Sequence, residues 1–117
     1  MFMGKYPCIF YETADGKSPV EGFMDSLDEG TQDKFIYKKE LLEEFGPQLR
    51  HPHTDSLGDG IFELRFKGKE GQVRILFFFY GGEIIFINGF IKKTRKIPEK
   101  EIKIAKVRRR EVERRGK

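Results

Sequence analysis

Two apolar runs that meet at a pair of glycines constrain this chain more than any other feature. Val73–Tyr80 (VRILFFFY) and Glu83–Ile91 (EIIFINGFI) flank Gly81-Gly82. Two residues suffice to reverse an antiparallel pair, and glycine supplies the positive φ that such turns need. The first run is almost wholly apolar, the composition of a central strand covered on both faces. The spacing therefore predicts a hairpin in which Tyr80 opposes Glu83 and each later pair sums to 163. In that register Arg74 lies opposite Gly89, which leaves open space beside it, and Lys93 points to the same side as Gly89.

Upstream, Ile61–Phe66 alternates, with Phe62, Leu64 and Phe66 on one side and Ile61, Glu63 and Arg65 on the other. Matching the hydrophobic faces puts Leu64 and Phe66 with Ile75 and Val73, because a slip of one would move a whole apolar row into water. Arg65 then shares a face with Arg74, in position to stand across from it. Earlier still, Tyr6–Tyr11 reads as a first strand. Ser18-Pro19, with Glu21 three residues after Ser18, reads as a capping box opening a short helix to about Leu27. A second helix begins at about Asp28 or Thr31 and stops at Phe45 before Gly46-Pro47. His51–Gly60 reads as a polar loop and Lys67–Gln72 as another, while Pro98 opens a basic helix reaching about Arg115. The order is β-α-α-β-β-β-α. It describes an α+β fold in which the helices pack on one face of a small antiparallel sheet.

With 117 residues there is length for one domain, 1–117, and not for two cores. A single cysteine, Cys8, excludes an internal disulfide framework and fits a reducing compartment; its place between Tyr6 and Phe10 suits a small core residue. No basic-then-apolar leader opens the sequence, and the stretch Ile75–Tyr80 falls far short of the ~20 residues that cross a bilayer. A soluble, cytoplasmic protein without membrane contact is expected.

Charge is divided unevenly. Residues 1–91 carry 10 Lys/Arg against 15 Asp/Glu (net −5), and residues 92–117 carry 13 against 4 (net +9). A mildly acidic body with a strongly basic end is the asymmetry of a chain that binds a nucleic acid or an acidic partner, although a solvated basic helix would have the same composition. Like charges facing each other on a sheet cost about 0.2–1 kcal/mol. Arg65 and Arg74 therefore suggest an anion between them, or else neutralisation by Glu63. Lys92 and Lys93 at the strand end, Arg95 and Lys96 just beyond, and Lys67 and Lys69 in the preceding loop extend the basic surface toward RNA. On the residues alone such a cluster suits plain phosphate binding first, with stabilisation of the charge that builds as a phosphate is cleaved as the alternative. His51 and His53 bracket Pro52 without further ligands in a metal-binding pattern and read as surface loop histidines, with a catalytic role open only if the loop folds over the sheet. Phe77-Phe78-Phe79 reads as core rather than as an RNA-stacking surface. Neither a metal nor a cofactor is expected, and no phosphate-loop or nucleophile-elbow motif occurs.

Gly58-Asp59-Gly60-Ile61-Phe62-Glu63-Leu64-Arg65, Val73–Phe78 and Gly89-Phe90-Ile91-Lys92-Lys93-Thr94-Arg95-Lys96-Ile97-Pro98 together resemble the phage-derived branch of the RelE/HigB toxins. Leu41–Pro47 matches too, and the likeness runs from about Tyr6 into the basic helix. The combination LGDG-x-x-ELR with GF-x-KKT-x-K-x-P is more specific than either part. The resemblance implies the toxin of a type II toxin–antitoxin pair with a RelE-like fold. It further implies a metal-independent endoribonuclease that cuts mRNA, in many members on the ribosome, by way of the RNA 2′-hydroxyl. A neighbouring gene would encode the antitoxin that silences it. By position, Arg74 matches the arginine that contacts the scissile phosphate, Arg65 the basic residue on the preceding strand, and Lys92 and Lys93 the basic pair after the last strand. Glu63 is the one carboxylate on the same face, a catalytic candidate as general base, although pairing with Arg65 or Arg74 is the favoured role for it. The chain departs from the pattern at Asn88, where related sequences often carry His, and in having no Tyr after Tyr80. Two other functions on the same fold are a non-catalytic RNA- or protein-binding module and a gyrase-directed toxin. The Arg74 and Lys92-Lys93 positions favour the nuclease over the latter.

Overall fold

The computed structural model describes residues 4–116. The chain runs β1 (Cys8–Phe10), α1 (Pro19–Asp25), α2 (Glu29–Phe45), a 3-10 turn (Gly46–Gln48), β2 (Thr54–Gly58), β3 (Ile61–Gly68), β4 (Gly71–Tyr80), β5 (Glu83–Lys92) and α3 (Glu99–Arg114). Pro19 stands at the first turn of α1 as expected, but the Ser18 side chain makes no capping hydrogen bond, so the capping box does not form. Asp28 caps α2 instead, its carboxylate accepting from Thr31 N at 3.1 Å. At the far end Gly46 takes φ 52° with the Tyr6 ring packed where a Cβ would stand, and α2 stops there.

The five strands lie in the order β1-β5-β4-β3-β2. β1 pairs with β5 in parallel, Ile9 beside Ile85, while the other pairs are antiparallel. The sheet is therefore mixed, which corrects the wholly antiparallel expectation. Residues 54–58 form β2 rather than a loop. Its sequence, TDSLG, is polar because it is an edge strand with Asp55 and Ser56 exposed. The loop expected over Lys67–Gln72 shrinks to a two-residue turn, because β3 and β4 stay paired to Gly68 and Gly71.

Both faces of the sheet are covered, and the expectation of helices on one face is corrected as well. Val20, Met24, Phe35 and Leu42 of α1 and α2 pack on Leu64, Phe66, Val73, Ile75, Phe77 and Phe86. On the other face Ala105 and Val112 of α3 pack on Ile61, Leu76, Phe78, Ile85, Ile87 and Phe90. Alternation explains the two layers. β4 and β5 are apolar at odd and even positions alike, so each side needs its own cover.

The hairpin begins in the expected register, Tyr80 opposite Glu83 down to Phe77 opposite Phe86. A bulge at Ile87 then shifts it, and Leu76 meets Asn88. Ile87 and Asn88 both turn toward α3: Ile87 enters that core, its carbonyl accepts from Arg108 Nη1 at 2.9 Å, and Asn88 reaches Glu101. Arg74 consequently faces Phe90, not Gly89. Gly89 opposes Ile75 on the α1 side, where a Cβ would lie 2.7 Å from Phe23 Cδ2. The open space expected there is filled by Phe23.

Candidate functional site

Beyond the N-terminus of α3, the α3-side face of the sheet is built in rows fixed by strand register. Asp55, Glu63, Leu76 and Asn88 form one row across β2, β3, β4 and β5. Arg65, Arg74 and Phe90 form the next, and Lys67, Gln72 and Lys92 the one after. Arg65 and Arg74 stand directly across from each other, as the face-matching argument required. Arg74 is 4% exposed and Glu63 5%. Glu63 Oε1 lies 3.3 Å from Arg74 Nε, and Glu63 Oε2 lies 3.8 Å from Arg65 Nε. Arg74 Nη1 also donates to Val73 O at 2.9 Å.

Burial is expensive for these charges. It pushes the Glu63 carboxyl up from its ordinary range, against the pull of Arg74, Arg65 and Lys92. Burial likewise lowers Arg74, with Glu63 opposing, yet a guanidinium keeps its proton at any physiological pH. Arg74 therefore depends on the Glu63 carboxylate. Their contact is a close ion pair without hydrogen-bond alignment: Glu63 Oε1 and Arg74 Nε, both enclosed, make no hydrogen bond. Asn88 Oδ1, in the Glu63 row two strands over, makes none either, although its Nδ2 donates to Glu101 Oε1 at 2.9 Å and Glu101 O at 3.2 Å. Unmet polar capacity is thus concentrated on neighbouring rows of this face.

Arg65 is only half-buried and reaches toward the sheet edge. Its Nη1 lies 3.9 Å from Asp55 Oδ2 and 3.3 Å from His51 Nδ1. His51 is exposed, as expected of a surface histidine, and stands beside one of the two arginines. His53 Nδ1 lies 2.7 Å from Lys38 Nζ, and burial, then Lys38, holds its imidazole below the ordinary value. Lys38, Pro52, Arg65, Gln72 and Arg74 line one open cleft at this end of the sheet. The missing signal was β2: once Thr54 pairs with Leu64, the residues just before it must lie against Arg65, whose N–H donates to His53 O at 2.9 Å. Lys38 on α2 carried no such signal.

The remaining basic residues separate. Lys92 acts electrostatically on Glu63, and Lys67 projects from the same face one row beyond Arg65. Lys93, Arg95 and Lys96 are exposed in the segment between β5 and α3. Lys69 acts instead on Asp28 at the start of α2, away from the arginines. Asp59, at the turn of the LGDG motif, has φ 57° between Gly58 at 90° and Gly60 at 77°, a run of left-handed backbone that glycine permits. Its carboxylate takes Lys106 Nζ at 3.0 Å, so the motif anchors α3. Among the described residues, no three His, Cys, Asp or Glu side chains gather where they would hold a metal ion. No helix of the described residues is long and apolar enough to cross a membrane.

Fold and site together define a small α+β domain with a mixed five-stranded sheet that presents two opposed arginines over a buried carboxylate. The model of a phage-derived family described as Gp49-like (DUF891) matches residues 22–110, from α1 into α3, and the chain belongs to that family. No curated protein matches it.

Proposed function

We propose that this protein is the toxin of a type II toxin–antitoxin pair and an endoribonuclease of RelE/HigB type that cuts mRNA. The observation that carries the reading is the Arg65–Arg74 pair, opposed across β3 and β4 and tied to one carboxylate. Two guanidiniums so placed cost stability unless an anion shares them. A phosphodiester suits the half-buried Arg65 and the open cleft beside it, because planar guanidinium forks match phosphate oxygens. Membership in a phage-derived family and the sequence likeness point the same way.

In this reading the RNA 2′-hydroxyl attacks the adjacent phosphorus, the bond to the 5′-oxygen breaks, and a 2′,3′-cyclic phosphate forms. Arg65 and Arg74 stabilise the charge that develops on the phosphoryl oxygens. His51, with its imidazole against Arg65, takes the 2′-hydroxyl proton, and Lys92 returns one to the leaving oxygen. Glu63 holds the arginines in place. The exposed basic residues Lys67, Lys93, Arg95, Lys96 and those of α3 attract RNA or the ribosome without reading sequence. A protein encoded beside this one is the proposed antitoxin.

Expression of the chain alone should arrest growth, and co-expression of the adjacent small open reading frame should relieve it. Mapping of mRNA 5′ ends during arrest should show new cleavage sites. Arrest with intact mRNA and damaged DNA would indicate a gyrase poison instead. Arg65→Ala, at a half-buried position, should abolish cleavage while the protein stays folded. A fully toxic Arg65→Ala, Arg74→Ala double variant would refute the assignment.

A further inference from the structure

A second hollow lies on the α2 side of the sheet at the β2 edge. Phe62, Phe77 and Phe79 form its wall. Phe62 stacks on Phe77 with centroids 5.6 Å apart and meets Phe79 edge-on at 5.4 Å. Phe77 is fully buried, whereas Phe62 and Phe79 keep part of their surface open. The volume is about 430 Å³, within the ~300–1,000 Å³ typical of small-ligand sites. Polar groups stand at the rim, His51, Asp55 and Ser56 among them. His51 belongs to both sites: it lines this hollow, and its Nδ1 lies 3.3 Å from Arg65 Nη1.

The arginines project from the opposite face, so a ligand that fills the hollow meets Arg65 around the β2 edge, past His51, and must be apolar and flat at one end and anionic at the other. Partly exposed phenylalanine rings offer a stacking surface to any base, and the rim offers hydrogen-bonding groups to its edge. We propose that the hollow is a nucleobase pocket, holding one base of the RNA whose phosphate Arg65 grips. The inference rests on the phosphate-binding reading above. It adds that the substrate is recognised through a base turned out of its stack over the β2 edge. A single-stranded segment can present such a base, whereas a regular duplex keeps its bases stacked.

NMR chemical-shift titration of the full chain with adenosine 3′-monophosphate and with inorganic phosphate tests it. The nucleotide should bind about tenfold or more tighter than phosphate, the increment expected of one stacked base. Phe62, Phe79 and Ser56 should shift with the nucleotide alone. Ser56→Trp, at an exposed edge-strand position opposite Phe62, fills the hollow from its rim and replaces no core side chain. It should remove the nucleotide's advantage and leave phosphate affinity unchanged. Equal affinity for phosphate and nucleotide would overturn the pocket and leave the phosphate site standing. Failure of both ligands to shift Arg65 would overturn the phosphate reading and the pocket with it.

Discussion

Replacing Glu63 by Gln keeps shape and volume but removes the charge that Arg74 depends on. Arg74 is 4% exposed and cannot turn out to water, and Arg65 stands directly opposite. Removing one partner of a buried ion pair costs about 3–5 kcal/mol because the other charge stays behind uncompensated. Gln leaves an oxygen dipole beside Arg74 Nε and Arg65 is half in solvent, which places the loss near the lower end, about 3 kcal/mol. For a chain of this size that is a drop of about 12 °C in Tm, or about 2 M in the urea midpoint. Replacing both partners, as Glu63→Gln with Arg74→Met, should recover most of the loss, since an apolar side chain needs no counter-charge. Urea denaturation of wild type, both single variants and the double variant forms the cycle that isolates the coupling. Added phosphate should stabilise Glu63→Gln more than wild type, because the bared arginines bind it in the folded state only. A Glu63→Gln cost under about 1 kcal/mol, or single-variant losses that simply add, would refute the claim that this carboxylate holds the arginines in place.

Three further outcomes follow from the geometry. Burial, with Glu43 adding to it, pushes the Cys8 thiol from 9.0 up to about 12. At pH 8.5 native Cys8 should then alkylate roughly a thousandfold more slowly than in urea, and equal rates would count against its burial. Gly89→Ala forces a methyl against Phe23 and Ile75 at 2.7–2.8 Å and should cost about 1–3 kcal/mol by thermal denaturation; a neutral substitution would mean that Phe23 yields freely. His53 has a folded pKa below its unfolded value of 6.5, so the unfolded chain takes up the proton first. Stability should be complete above that value and fall as pH drops through it. His53→Gln should flatten the dependence between about pH 7 and 5, and an unchanged slope would assign it to other groups.

Much of the hairpin was legible because Gly81-Gly82 and unbroken apolar runs leave few alternatives. The Arg65–Arg74 pairing was legible too, since a half-buried strand cannot slip by one residue without exposing its apolar row. The bulge at Ile87 was not. It goes with Asn88 meeting Glu101 and Arg108 meeting the Ile87 carbonyl, contacts 13 and 21 residues apart on a helix expected on the other face of the sheet. The parallel β1 escaped for a similar reason: three residues say nothing about which strand they join or in which direction. β2 carries an edge strand's polar composition, indistinguishable in sequence from a loop, and with it went the placement of His51 beside Arg65. The site's cationic half came from local alternation, and its histidine from a pairing that only the assembled sheet provides.

That parallel partnership bears on how the chain comes together as it is made. β1 takes its place at one edge of the sheet beside β5, so residues 8–10 meet their neighbours only when residues 84–86 have emerged. β1 is made well before β5 and is seated only after β5 exists. Such a long-range pairing favours a late, all-or-none closure over growth from the N-terminus. Stalled or nicked products lacking β5 would then have neither the central hairpin nor the edge strand it receives. The arginine site is assembled only in chains extended past β5.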